Sequence, residues 1–203
     1  MEPFRRLEAI ALPIDRQNVD TDQIVPARFL KKPRENNFGE YLFHDLRKRA
    51  DGSDNPDFIL NHPGYRGAQV VVAARNFACG SSREHAVWAL YDHGIRAVIS
   101  SAFSDIFQSN AVRNGLLPVV LPEAAVRALM AEAKGGNHVF SVDLAAQEVT
   151  APSGHKFRFE IDPARKEKLL GGLDSIGETL RHKGDIDDYE ARHAMTEPWL
   201  EPA

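Results

Sequence analysis

Residues 69–121 read QVVVAARNFACGSSREHAVWALYDHGIRAVISSAFSDIFQSNAVRNGLLPVVL, and the alternation within this stretch decides the fold class. The β-branched run Gln69–Ala74 predicts a buried strand, followed by a polar, glycine-containing turn over Arg75–Ser82. A helix is predicted over Arg83–His93, with Ala86, Val87 and Leu90 on one face and Gly94 just past its end. The cycle then repeats: strand Arg96–Ser100, helix Ser104–Asn114 closed by Gly115, strand Leu117–Leu121, and a third helix Glu123–Lys134 ending at Gly135-Gly136. Strands that alternate with helices pair in parallel through crossovers, so the class is α/β.

Outward from this centre the pattern changes. Toward the C-terminus, His138–Thr150 and Lys156–Ile161 read as antiparallel strands around a turn at Pro152-Ser153-Gly154, and Pro163–Leu170 and Asp185–His193 read as terminal helices. Toward the N-terminus, Ile10–Asp15 alternates weakly and runs into the polar segment Arg16–Gln23. Pro26–Pro63, rich in Pro, Asn, Gly and charge, predicts long loops with one short helix, and long loops in compact domains usually carry function.

The chain has 203 residues, 43% of them hydrophobic, enough for one domain with a C-terminal helical tail from about residue 163. Its net charge of -4 lacks the clustered Lys and Arg that phosphate backbones require, so nucleic acid is not expected as a partner. Met1–Pro13 is interrupted by Glu2, Arg5, Arg6 and Glu8, which argues against a signal peptide. The apolar runs Val70–Ala74 and Leu116–Leu121 fall far short of the roughly 20 residues that span a bilayer. A cytoplasmic location is expected. A single cysteine, Cys79, excludes an internal disulfide and suits a reducing compartment.

Chemistry concentrates in Asn76–His85, where Gly80, two hydroxyls and Arg83 fall at a strand-to-helix switch. Unpaired backbone N–H groups and the helix dipole favour an anion at such a point. A serine there can serve as a base if its alkoxide is stabilised by those donors and by Arg83. The alternative is structural: Ser81 or Ser82 as an N-cap, Glu84 or His85 in local contacts, Arg83 on the surface. Periodicity does not separate the two.

The run Gly80-Ser81-Ser82-Arg83-Glu84-His85 resembles the signature of the mobile swivel domain in the aconitase superfamily. Asn18–Ile24 (NVDTDQI), Ser101–Phe107 with Asn110, and Gly115–Pro118 are similar to further segments of that domain. The tail Gly172–Leu180 resembles that of bacterial isopropylmalate isomerase (3-isopropylmalate dehydratase) small subunits, so the resemblance runs from about Ile14 to His193. It implies a swivelling β/β/α three-layer domain and a hydro-lyase reaction in leucine synthesis that interconverts 2- and 3-isopropylmalate through 2-isopropylmaleate. Ser81 would be the base, with Ser82 and Arg83 holding substrate carboxylate oxygens. Asp20, Thr21 and Asp22 would lie in a loop near the site, or form an ordinary Asx turn. Arg28, with Phe29 and Leu30, falls roughly where relatives discriminate substrates.

The same resemblance implies a [4Fe–4S] cluster held by three cysteines with one iron open as Lewis acid. A single cysteine cannot hold it, so Cys79 is read as a small buried neighbour of the site with no metal role. No metal is expected on this chain; the cluster falls to a large subunit, and a heterodimer or higher heteromer follows. Homoaconitate and methyl-substituted malates or maleates are alternative substrates. A non-catalytic regulatory subunit is the alternative outside enzymes, with the intact Ser81, Ser82 and Arg83 standing against it.

Overall fold

The computed structural model describes residues 1–34, 37–80, 83–197 and 199. Seven strands form one curled sheet in the order β4-β3-β2-β1-β5-β6-β7. They are β1 (Arg6–Ile14), β2 (Val70–Ala73), β3 (Ala97–Ser100), β4 (Leu117–Val120), β5 (Val139–Asp143), β6 (Glu148–Thr150) and β7 (Lys156–Arg158). The helices, in chain order, are α1 (Thr21–Ile24), α2 (His44–Arg47), α3 (His85–His93), α4 (Asp105–Arg113), α5 (Glu123–Ala133), α6 (Pro163–Gly171), α7 (Ser175–Leu180) and α8 (Lys183–Thr196).

The parallel half matches the sequence expectation. β1, β2, β3 and β4 pair in parallel, with Ala11 opposite Val70, Val70 opposite Ala97 and Ala97 opposite Leu117. Pro118 is tolerated because β4 is an edge strand, where a missing N–H breaks no inner ladder. The rest departs in detail. β1 is a nine-residue strand, longer than Ile10–Asp15 suggests, because exposed Arg6 and Glu8 alternate with half-buried Leu7 and buried Ala9. His138–Thr150 is two strands rather than one, folded at a turn where the Ala146 N–H donates to Asp143 Oδ1 at 2.8 Å. α7 has no counterpart in the expected elements.

The two halves of β1 do different work: Arg6–Ile10 pair antiparallel with β5, and Ala11–Ile14 pair parallel with β2. Because side chains alternate across a strand, the sheet divides the core in two. Leu12, Ile14, Val71, Ala73 and Val98 face α3, α4 and the 19–68 segment. Ala9, Ala11, Val70, Val72, Ile99 and Val119 meet α5, Leu169 of α6, and Phe140, Val142 and Val149 of the antiparallel ladder. This is the β/β/α layering: one ladder curls over the other, with α3 and α4 on one face of the parallel strands and α5 and α6 on the other. Among the described residues no helix is long and apolar enough to cross a membrane.

Candidate functional site

Open parallel sheets offer sites beyond the carboxyl ends of their strands, and here three such ends converge. β1 leads into 15–20, β2 into 74–84 and β3 into 101–104. The backbones of these segments are laced together. The Asn18 N–H donates to the Arg75 carbonyl at 3.0 Å, Cys79 N–H to Val19 at 3.2 Å, and Thr21 N–H to Cys79 at 3.0 Å. Phe77 bridges to Phe103, and Ser104 Oγ donates to the Ala78 carbonyl at 3.4 Å.

The 74–80 loop is conformationally unusual. Asn76, Ala78 and Gly80 all have positive φ, at 65°, 58° and 90°. Asn76 is helped by its side-chain amide, which donates to Asn18 Oδ1 at 2.8 Å. Ala78 has no such help and is fully buried; a left-handed alanine costs of order 1–3 kcal/mol and persists only where its surroundings over-determine it. The bonds on either side of Ala78 supply that constraint. Gly80 is needed for its φ, not for space, since a Cβ there would lie at ordinary contact distance, 3.5 Å from Asp20 Cβ and 3.9 Å from Thr21 Oγ1.

Asp20 is the N-cap of α1, its Oδ1 accepting the Gln23 N–H at 2.7 Å. Thr21 is 3% exposed, and among the described residues its Oγ1 has no hydrogen-bond partner. Such buried orphans are rare and mark either strain or a group absent from the structure. The Asp22 carboxylate accepts two bonds from Arg83, from Nη1 at 2.8 Å and Nη2 at 2.9 Å. That fork-on-fork pair is the geometry by which arginine binds any carboxylate. Asp20, Thr21, Asp22, Cys79, Gly80 and Arg83 are thus brought to one place. Ser81 and Ser82, lying between Gly80 and Arg83 in the chain, fall outside the described residues.

Arg28 is placed differently. It makes a bidentate pair with Asp45, its Nη2 lies 3.1 Å from His44 Nδ1, and its guanidinium sits 4.5 Å from the centroid of the Phe29 ring. The hydrogen bond from Arg28 lowers the pKa of the Asp45 carboxyl to about 2. Among the described residues its partners lie in α2, not in the Arg83 loop. Cys79 is half-buried rather than buried, and its backbone carries the bonds to Val19 and Thr21. α3 begins at His85 with Glu84 at the N-cap position, two residues later than a helix starting at Arg83. His85 packs against Trp88, with ring centroids 4.5 Å apart, and against Phe38 at 5.7 Å. That is a structural environment.

One polar chain lay beyond sequence reasoning. Glu84 Oε1 accepts from Asn114 Nδ2 at 2.6 Å, Asn114 Oδ1 accepts from Arg34 Nη1 at 3.0 Å, and Arg34 pairs with Asp92 at 2.9 Å. It ties the start of α3, beside Arg83, to the end of α4 and to the 26–41 segment. The only local signal was Asn114 before Gly115, which reads as a helix terminus.

A cluster of three thiolate ligands does not fit this donor set. The chain has one cysteine, and among the described residues no group of three His, Cys, Asp or Glu is placed to hold a metal.

The family described as Aconitase C-terminal domain matches residues 1–124, and the one described as LeuD_N matches 127–163. Residues 175–203 match the family described as the C-terminal domain of the 3-isopropylmalate dehydratase small subunit. The chain is 59% identical to the 3-isopropylmalate dehydratase small subunit of Phenylobacterium zucineum, covering all of both chains. It is 54% identical to that of Caulobacter vibrioides, over 99% of this chain and all of the relative. A solved 3-isopropylmalate dehydratase structure from Methanocaldococcus jannaschii superposes with a TM-score of 0.66 at 25% identity, covering 91% of this chain and 99% of the other.

Proposed function

Because the chain belongs to the family of 3-isopropylmalate dehydratase small subunits, we propose that it is the small subunit of such a hydro-lyase in leucine biosynthesis. It interconverts 2-isopropylmalate and 3-isopropylmalate by dehydration and rehydration through 2-isopropylmaleate. The observation that carries this reading is the Arg83 fork, already closed on the Asp22 carboxylate, at the carboxyl ends of the parallel strands. The substrate is a dicarboxylate, and a carboxylate entering here exchanges with that of Asp22.

In this reading Arg83 binds and orients a substrate carboxylate, with Ser82 adding a contact, and the orphaned Thr21 hydroxyl takes a partner when the site fills. Ser81, held as its alkoxide by Arg83 and the neighbouring backbone donors, accepts the proton from the substrate carbon and becomes a neutral hydroxyl. The loop is held rigid by the paired backbones of 18–21 and 75–79, so its donors need little reorganisation as charge shifts. Departure of the hydroxyl on the neighbouring carbon calls for an electrophile, which in the superfamily is a [4Fe–4S] cluster. We assign that cluster to a larger partner subunit in the cytoplasm, since the donors of this chain do not fit it.

The test is reconstitution. The purified chain should be colourless and inactive; mixed with an iron-loaded large subunit it should raise the ultraviolet absorbance of the unsaturated diacid from isopropylmalate. Turnover by the chain alone, or none by the pair, would contradict the proposal.

A further inference from the structure

The aconitase-type part of the chain and its tail differ in how they are built. Among the described residues, α7 and α8 contain no buried residue, whereas α6 still contributes Leu169 to the core. Eight large apolar side chains are exposed in the described structure, and five of them lie in the tail: Ile176 (72% exposed), Leu180 (59%), Tyr189 (59%), Met195 (82%) and Trp199 (74%). Ile176 and Leu180 are four residues apart and so share a face of α7. The tail is held to α6 by surface ion pairs, Lys168–Glu178 at 2.9 Å and Arg181–Glu167 at 2.7 Å. Surface pairs of this kind are worth little. A polar tail that carries five exposed large apolar side chains with so little internal support is shaped for an external surface.

The family matches indicate which surface. Residues 1–124 match a domain described as the C-terminal part of aconitase, a domain carried on a longer chain. Residues 175–203 match a segment described only for the separate small subunit. A covalent tether gives a domain a high effective concentration, millimolar for short linkers, next to the rest of its enzyme. A free subunit must replace that with binding surface. The charge of α8 adds a constraint: Asp188 and Glu190 make no ion pair among the described residues, so the complementary surface has a basic rim.

We propose that α7, α8 and Trp199 form the docking element by which this chain binds its larger partner subunit, inserting Ile176, Leu180, Tyr189, Met195 and Trp199 into an apolar surface edged by Lys or Arg. The proposal rests on the subunit reading above. It is tested with the full chain carrying Ile176→Gln, Leu180→Gln, Tyr189→Gln and Met195→Gln together, its affinity for the purified iron-loaded large subunit measured by calorimetry. The dissociation constant should rise at least about thirtyfold, while the thermal melt of the isolated chain stays unchanged and turnover at saturating variant stays near that of the original.

A second variant, Asp188→Lys with Glu190→Lys, alters only exposed positions. It should weaken binding about tenfold and flatten the salt dependence. Unchanged affinity in both variants overturns the proposal, as does a loss confined to self-association of this chain. Weaker variant binding in a wild-type pair that binds but does not turn over supports the docking element and sinks the catalytic reading; normal turnover with unchanged variant affinity does the reverse.

Discussion

Two hydroxyls and one guanidinium separate a catalytic loop from a merely capped one. If Ser81 is the base, Ser81→Ala in the reconstituted pair should lower kcat by roughly 10²- to 10⁴-fold with little change in KM. Retention of more than about a tenth of the rate would return it to a structural role. Arg83→Lys keeps the charge but loses the fork, so it should raise KM as well; steady-state kinetics separate the two patterns. Thr21→Val tests the orphaned hydroxyl from the opposite direction. Removing a buried, unpaired oxygen with little change of shape should stabilise the isolated chain by about 1 kcal/mol, read from denaturant midpoints. The same change should raise KM, and a variant neutral in both would leave Thr21 without a function. The sequence made Arg83 and the serines conspicuous through one unusual hexapeptide. It held no direct sign that Asp22 meets Arg83, because that contact spans 61 positions and forms only when β1 and β2 align.

The pairing of α3 with the Phe38–Tyr41 turn rests on a close approach that tolerates no side chain. A Cβ on Gly39 would lie 2.4 Å from the backbone nitrogen of His93, an atom that cannot step aside. Gly39→Ala should therefore destabilise the chain by about 1–3 kcal/mol or more, measured by chemical denaturation. Stability close to that of the parent would mean the turn can lift off the helix. His93 itself is pushed below the ordinary histidine value, first by burial and then by the nearby Arg47 charge. The folded chain thus resists a proton that the unfolded chain accepts, and the sign follows: the full contribution is present above about pH 6.5 and declines as pH falls below it. In melts between about pH 5 and 6.5, His93→Gln should flatten this slope; an unaltered slope would assign it to other groups. Helices and parallel strands were legible because glycine and β-branched runs punctuate 69–136. α7 was not, being short, exposed and marked only by its Asp174 cap. The first half of β1 was hidden by its charges, which look like loop residues until the exposed face of the strand is known.

Across the whole chain, the resemblance and the α/β pattern agree on architecture, while the division of the core by β1 had to be seen. Arg6 pairs with Asp143, and Ala11 with Val70. During synthesis the strand made first therefore waits for a partner made much later: at roughly 5–20 residues per second, the roughly 140 residues to β5 take about 7–30 s to emerge. Through that interval Arg6–Ile10 is an unpaired edge on a nascent chain, the kind of segment that recruits neighbours into aggregates. Its exposed Arg6 and Glu8 then act as gatekeepers, keeping the ribosome-bound strand soluble until the antiparallel ladder arrives to claim it.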